Sequence, residues 1–117
     1  MQERYRFTEM TAAEQIHRWK AEKNAVILAH YYVRSEIQEI ADYVGDSYFL
    51  SEKAAELNAE IIVLCGVSFM GESAKILNTD KRVLLPEPEA DCPMAHMATP
   101  EQVAEVRAGY DDLAVVC

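Results

Sequence analysis

No stretch of this sequence is apolar over the ~20 residues that a bilayer-spanning helix needs. The opening MQERYRFTEM is charged and lacks the apolar stretch of a secretory signal. These two lacks make a cytoplasmic protein the expectation. Basic residues are scarce, with 11 Lys and Arg against 20 Asp and Glu and a net charge of −9. Such a surface repels phosphate backbones and anionic membranes, which argues against nucleic acid and membranes as partners. A small anionic substrate is not excluded, because a helix N-terminus holds an anion locally against the global field. Cysteines are few and odd in number: Cys65, Cys92 and Cys117. In a cytosolic setting that disfavours disulfides. The lack of a CxxC pair and of a Cys/His cluster also argues against a zinc site built from local sequence. Aromatics make up only 9% of the chain, and neither an internal repeat nor a low-complexity linker is evident.

What is present is an aliphatic chain of 117 residues, half of them apolar, of the size of one domain. Thr11 followed by Glu14 is a capping-box pattern, with Ala12, Ile16 and Trp19 on one helical face behind it. NAVILAH is an apolar run without helical spacing and reads as a buried strand. Ser35 and Gln38 repeat the capping pattern. Ile37, Ile40, Ala41 and Val44 then predict a helix stopped by Gly45. DSYFLSEKAAELN is a further helix, EIIVLCG a second strand, FMGESAKILN a short helix and KRVLLP a third strand. Thr99, Pro100 and Gln102 start a helix that runs to Gly109. DLAVVC reads as a fourth strand. Strands that are apolar runs rather than alternating ones are covered on both faces. The expectation is therefore a three-layer α/β/α domain with a four-stranded parallel sheet and right-handed crossovers.

In such a sheet, ligands bind beyond the carboxyl ends of the strands. HYYV, GVSFMGE and PEPEADCPMAHM should therefore converge on one edge. His30 there is either an acid/base or anion-binding group, or a histidine tied to a loop carbonyl. Of Tyr31 and Tyr32, one can reach a pocket with its phenol while the other packs. Asp46 and Ser47 open a helix, and capping alone accounts for both; the functional reading gives Ser47 and the free N–H groups a carboxylate or phosphate. Phe69 and Met70 read first as core, and Glu72 as a residue placed by the helix dipole. Cys92, between Asp91 and Pro93 on an irregular loop, has no packing explanation; a metal ligand or a reactive thiol fits it better. Cys65 and Cys117 end apolar runs, so burial is the default for both. All three cysteines nevertheless lie near one sheet edge, which keeps a three-thiolate site open.

ILAHYYVRSEIQEIADYVGDS, GVSFMGESAKILNTDKRVLLP and EADCPMAHM together resemble the quinolinate synthase family, from about Ala25 to the end of the chain. The resemblance implies three similar α/β/α domains about a pseudo-threefold axis, each giving one loop cysteine to a shared [4Fe–4S] cluster. Three thiolates hold three irons, and the fourth iron is open to substrate as a Lewis acid. The implied reaction condenses iminoaspartate with dihydroxyacetone phosphate to quinolinate, for de novo NAD biosynthesis. On this resemblance Cys92 is the cluster ligand, His30 and Tyr32 are catalytic, and His30 and Ser47 bind substrate. Cys65 and Cys117 return to the core. Residues 1–117 are then the first domain, with 1–24 as a helical extension. The chain is expected to be a fragment whose partners are the two remaining domains, and to be inert alone. His96 stands where the family more often has asparagine. The alternative reading is a non-catalytic α/β binding or regulatory domain for a small anionic ligand.

Overall fold

The sheet order β2-β1-β3-β4 sets where this molecule can bind anything. In the computed structural model, which describes residues 10–116, the strands are β1 (Ala25–His30), β2 (Tyr43–Gly45), β3 (Ile61–Cys65) and β4 (Arg82–Leu84). All three pairings are parallel, with Leu28 opposite Tyr43, Leu28 opposite Leu64 and Val63 opposite Leu84. The helices are α1 (Ala12–Glu22), α2 (Ser35–Ile40), α3 (Ser47–Glu56), α4 (Ser68–Leu77) and α5 (Pro100–Ala108), with a 3₁₀ turn at Pro93–His96. The chain moves one way across the sheet from β1 to β2 and the other way from β2 to β3 and β4. Right-handed crossovers then put α2 on one face and α3 and α4 on the other. The packing agrees: α1 pairs with α2, α3 with α4, and all four lie against strands. This is the α/β architecture with a four-stranded parallel sheet that the sequence predicts.

The core is aliphatic. Leu28, Leu50, Ile62 and Leu64 are its largest fully buried side chains, joined by Val26, Ala54, Met70 and Ala74. Helix starts follow local chemistry. Thr11 and Thr99 each form the complete reciprocal capping box, with Glu14 and Gln102 respectively. Lys81 closes the far end of α3 by donating from Nζ to the carbonyls of Ala54 and Leu57.

Two expected elements differ. The helix predicted through Val44 ends at Ile40, and Tyr43–Gly45 is instead the edge strand β2. Ala41 turns extended, with ψ 148°. Asp42 then locks onto β1: its N–H donates to the Ile27 carbonyl and its Oδ2 accepts from the Ile27 N–H, both at 2.8 Å. Lys20 holds the other carboxylate oxygen at 2.7 Å. This backbone-like clamp outweighs a helical spacing that was satisfied only by half-buried or exposed positions. The second difference is the run beginning at Asp112. Residues 113–116 form no strand, and Leu113, Val115 and Val116 are exposed; Cys117 lies outside the described residues. No residue of α5 is buried, and the described chain is elongated, 73 × 26 × 19 Å.

Candidate functional site

The reversal of direction between β1 and β3 leaves a crevice at their carboxyl ends, the place where open parallel sheets bind ligands. A cavity of about 440 Å³ opens there. It is reached by His30 at the end of β1, Cys65 and Gly66 at the end of β3, Ser47 at the start of α3, and Glu87 and Cys92 in the loop after β4. Val33, Ile37, Val67, Phe69 and Met70 supply apolar walls. A few polar groups convergent on an apolar pocket is the usual form of a small-molecule site.

His30 is half-buried and paired in register with Gly45. Its Nδ1 lies 3.2 Å from the Tyr32 backbone N–H and accepts from it. The neutral ring therefore carries its proton on Nε2, which leaves that nitrogen as the one available to a ligand. Tyr31 stacks on the His30 ring at 4.7 Å and meets Tyr32 edge-on at 4.6 Å. Tyr32 is highly exposed and reaches the cavity mouth, while Tyr31 packs on the histidine. The neighbouring Tyr32 phenol, by hydrogen bonding and charge, holds the Tyr31 hydroxyl above its ordinary pKa.

Asp46, not Ser47, caps α3: its Oδ1 accepts from the Phe49 N–H at 2.8 Å. Ser47 is the first helical residue, exposed, with its hydroxyl free of capping duty. Gly45 permits this tight entry, because a Cβ there would sit 2.3 Å from the Phe49 ring. Glu72 is exposed on a shallower groove with Lys75 and Ile76, apart from the cavity.

Cys92 is half-buried on the cavity wall. Its loop is pinned to α4 by the Ala90 carbonyl, which accepts from the Ser68 N–H at 2.8 Å. Cys65 departs from the expected core position. Burial alternates along β3, with Ile62 and Leu64 buried and Ile61, Val63 and Cys65 only half so, and Cys65 lines the same cavity. Desolvation pushes its thiol above the ordinary value of 9.0, so it is protonated at neutral pH. Glu87, unremarked in the sequence, also lines the cavity; it lies three residues past the end of β4, in the loop at the carboxyl edge, which is the signal that would have found it.

Among the described residues no three His, Cys, Asp or Glu side chains gather in a metal-holding arrangement, and no helix is long and apolar enough to cross a membrane. A half-exposed thiol at a cavity wall, on a loop beyond the sheet, fits one thiolate corner of an iron–sulfur cluster and not a whole ligand set.

Residues 14–117 match the family model described as "Quinolinate synthetase A protein". Over 104 residues the chain is 55% identical to a quinolinate synthase of Fusobacterium nucleatum, covering 89% of this chain and 35% of that protein. It is 57% identical over 99 residues to one from Aquifex aeolicus, covering 85% of this chain and 31% of the relative. It is 56% identical over 108 residues to one from Methanocaldococcus jannaschii, covering 92% and 35%. The chain thus spans about a third of the length of the curated relatives it matches.

Proposed function

The chain belongs to the quinolinate synthase family, and on that premise we propose that it is the first of three α/β/α units of an enzyme that makes quinolinate for NAD biosynthesis. Residues 1–117 form that unit, with 1–24 as the extension leading into it. The reaction joins iminoaspartate to dihydroxyacetone phosphate, with loss of phosphate and two waters and closure of the pyridine ring. The observation that carries the reading is the convergence of His30, Ser47 and Cys92, from three separate segments, on one cavity at the β1/β3 crevice. The enzyme works in the cytoplasm.

Each residue has a role its geometry suits. The Ser47 hydroxyl, with the unpaired N–H groups of the first turn of α3, holds a substrate carboxylate. His30, its ring fixed through Nδ1, offers or takes a proton at Nε2 as water is lost. The Tyr32 phenol at the mouth serves as a second proton-bearing group beside it. Val33, Ile37 and Phe69 exclude bulk water and strengthen these contacts. Cys92 gives one thiolate to a [4Fe–4S] cluster, the other two coming from the remaining units of the enzyme. When bound, the cluster supplies an open iron that polarises a substrate oxygen as a Lewis acid. Cys65, at the end of β3 rather than on a loop beyond the sheet, is left out of the ligand set.

The test is a chimaera in which this chain replaces the matching third of the Fusobacterium nucleatum relative. Reconstituted without oxygen and given iminoaspartate and dihydroxyacetone phosphate, it should form quinolinate, and this chain alone should not. A folded chimaera that holds a cluster yet makes no product, or turnover by the isolated chain, would overturn the proposal.

A further inference from the structure

We propose that Asp91 and His96 are positioning residues for Cys92: the Asp91 carboxylate staples both ends of the turn that carries the thiol and fixes the thiol toward the cavity. This rests on the reading of Cys92 as a cluster ligand. At one end, Asp91 Oδ1 accepts from the Cys92 backbone N–H at 2.8 Å. At the other, Asp91 Oδ2 takes a hydrogen bond from His96 Nε2 at 2.6 Å. Between them runs the 3₁₀ turn Pro93–His96, closed by the Ala95 N–H on the Cys92 carbonyl at 3.0 Å.

Pro93 removes one donor from this turn and fixes its own φ. A single 3₁₀ turn has poorer hydrogen-bond geometry than α-helix and is marginal by itself. Ala90, just before Asp91, is already anchored to α4 through its carbonyl. A carboxylate that joins the cysteine's own amide to the end of the turn therefore removes freedom where the thiol direction is set. Both side chains are more than half exposed, so the staple adds little to global stability. Its effect falls on the local geometry of one loop.

The experiment follows iodoacetamide labelling of Cys92 and Cys65 in the metal-free protein, resolved by peptide mass spectrometry. Asp91→Ala and His96→Ala should each speed Cys92 labelling about threefold, within what one exposed charged pair can shift, with the Cys65 rate unchanged. Asp91→Asn and His96→Asn should restore rates near the parent. The first keeps an acceptor for the Cys92 amide and gains a donor toward His96; the second keeps a donor toward Asp91. In the cluster-loaded chimaera, the two alanine variants should release iron to a chelator faster by a similar factor. The proposal is overturned if the alanine variants label Cys92 at the parent rate, if Asp91→Asn behaves like Asp91→Ala so that charge alone matters, or if Cys65 accelerates equally, which is general loosening. Labelling is read without metal, so its failure is separate from that of the ligand assignment, which a Cys92→Ser variant that keeps the cluster would refute.

Discussion

Replacing Ser47 by alanine separates substrate binding from helix capping, because the capping falls to its neighbour. Asp46 supplies the side-chain oxygen to the Phe49 N–H, while the Ser47 carbonyl takes the Ser51 hydroxyl, a bond that alanine retains. Ser47→Ala should therefore move stability by no more than about 0.5 kcal/mol, the range of ordinary surface changes. Asp46→Ala should cost about 1 kcal/mol as a lost cap, roughly 4 °C in melting temperature for a domain of this size. Binding should show the reverse. A hydroxyl donating to a substrate carboxylate is worth about 1.5–3 kcal/mol, so Ser47→Ala in the chimaera should weaken kcat/KM by about ten- to a hundredfold. Asp46→Ala leaves that hydroxyl in place and should weaken it less. Thermal melts and steady-state kinetics on the two variants decide the matter. A Ser47→Ala protein with parent kinetics and a melting temperature lowered as far as that of Asp46→Ala would refute the reasoning.

Gly45→Ala should destabilise by about 1–3 kcal/mol as an overpacked site, since the new methyl meets the Phe49 ring; urea unfolding measures it. Ile62→Ala, at a fully buried core position, should cost about 2–5 kcal/mol, and a change within surface range would show the core misplaced. The raised Cys65 pKa sets a pH dependence. The folded state holds this proton more tightly than the unfolded one, so its contribution is intact below the ordinary value of 9.0 and is lost as pH climbs from there through the raised folded value. Cys65→Ala should flatten that alkaline fall in denaturant melts, and an unchanged profile would remove burial as its cause.

Much of this fold is legible because its signals are local. The Thr11 and Thr99 boxes satisfy N–H groups within three residues, so sequence alone places both helix starts. β1 and β3 are legible because strands inside a parallel sheet must be apolar. β2 is not, since three residues at an edge bury too little to imprint a pattern, and Val44 happens to continue a helical spacing. It exists through Asp42 reaching Ile27 across 15 positions, a contact that no local rule anticipates. The apolar run near the end of the chain carries a strand's composition without a partner among the described residues. At the site, the topology of the sheet is enough to place the segments that hold His30 and Cys92 at one edge, whereas capping alone accounts for Ser47 and its binding role comes with the family resemblance. Cys65 was misread because an apolar run does not reveal which of its two faces is less covered. The Asp91–His96 staple depends on a 3₁₀ turn bringing positions five apart together, which no sequence spacing announced.

The most direct test of the account is the fate of the cluster when single cysteines are changed in the chimaera. Serine is a poor ligand for a soft metal beside thiolate. Cys92→Ser should lose the stable cluster, read as iron and sulfide content and visible absorbance, together with all quinolinate formation. Cys65→Ser and Cys117→Ser should keep both. A folded Cys92→Ser protein with a full cluster, or loss of the cluster on changing Cys65 or Cys117, would contradict the assignment of Cys92 as the one ligand this chain provides.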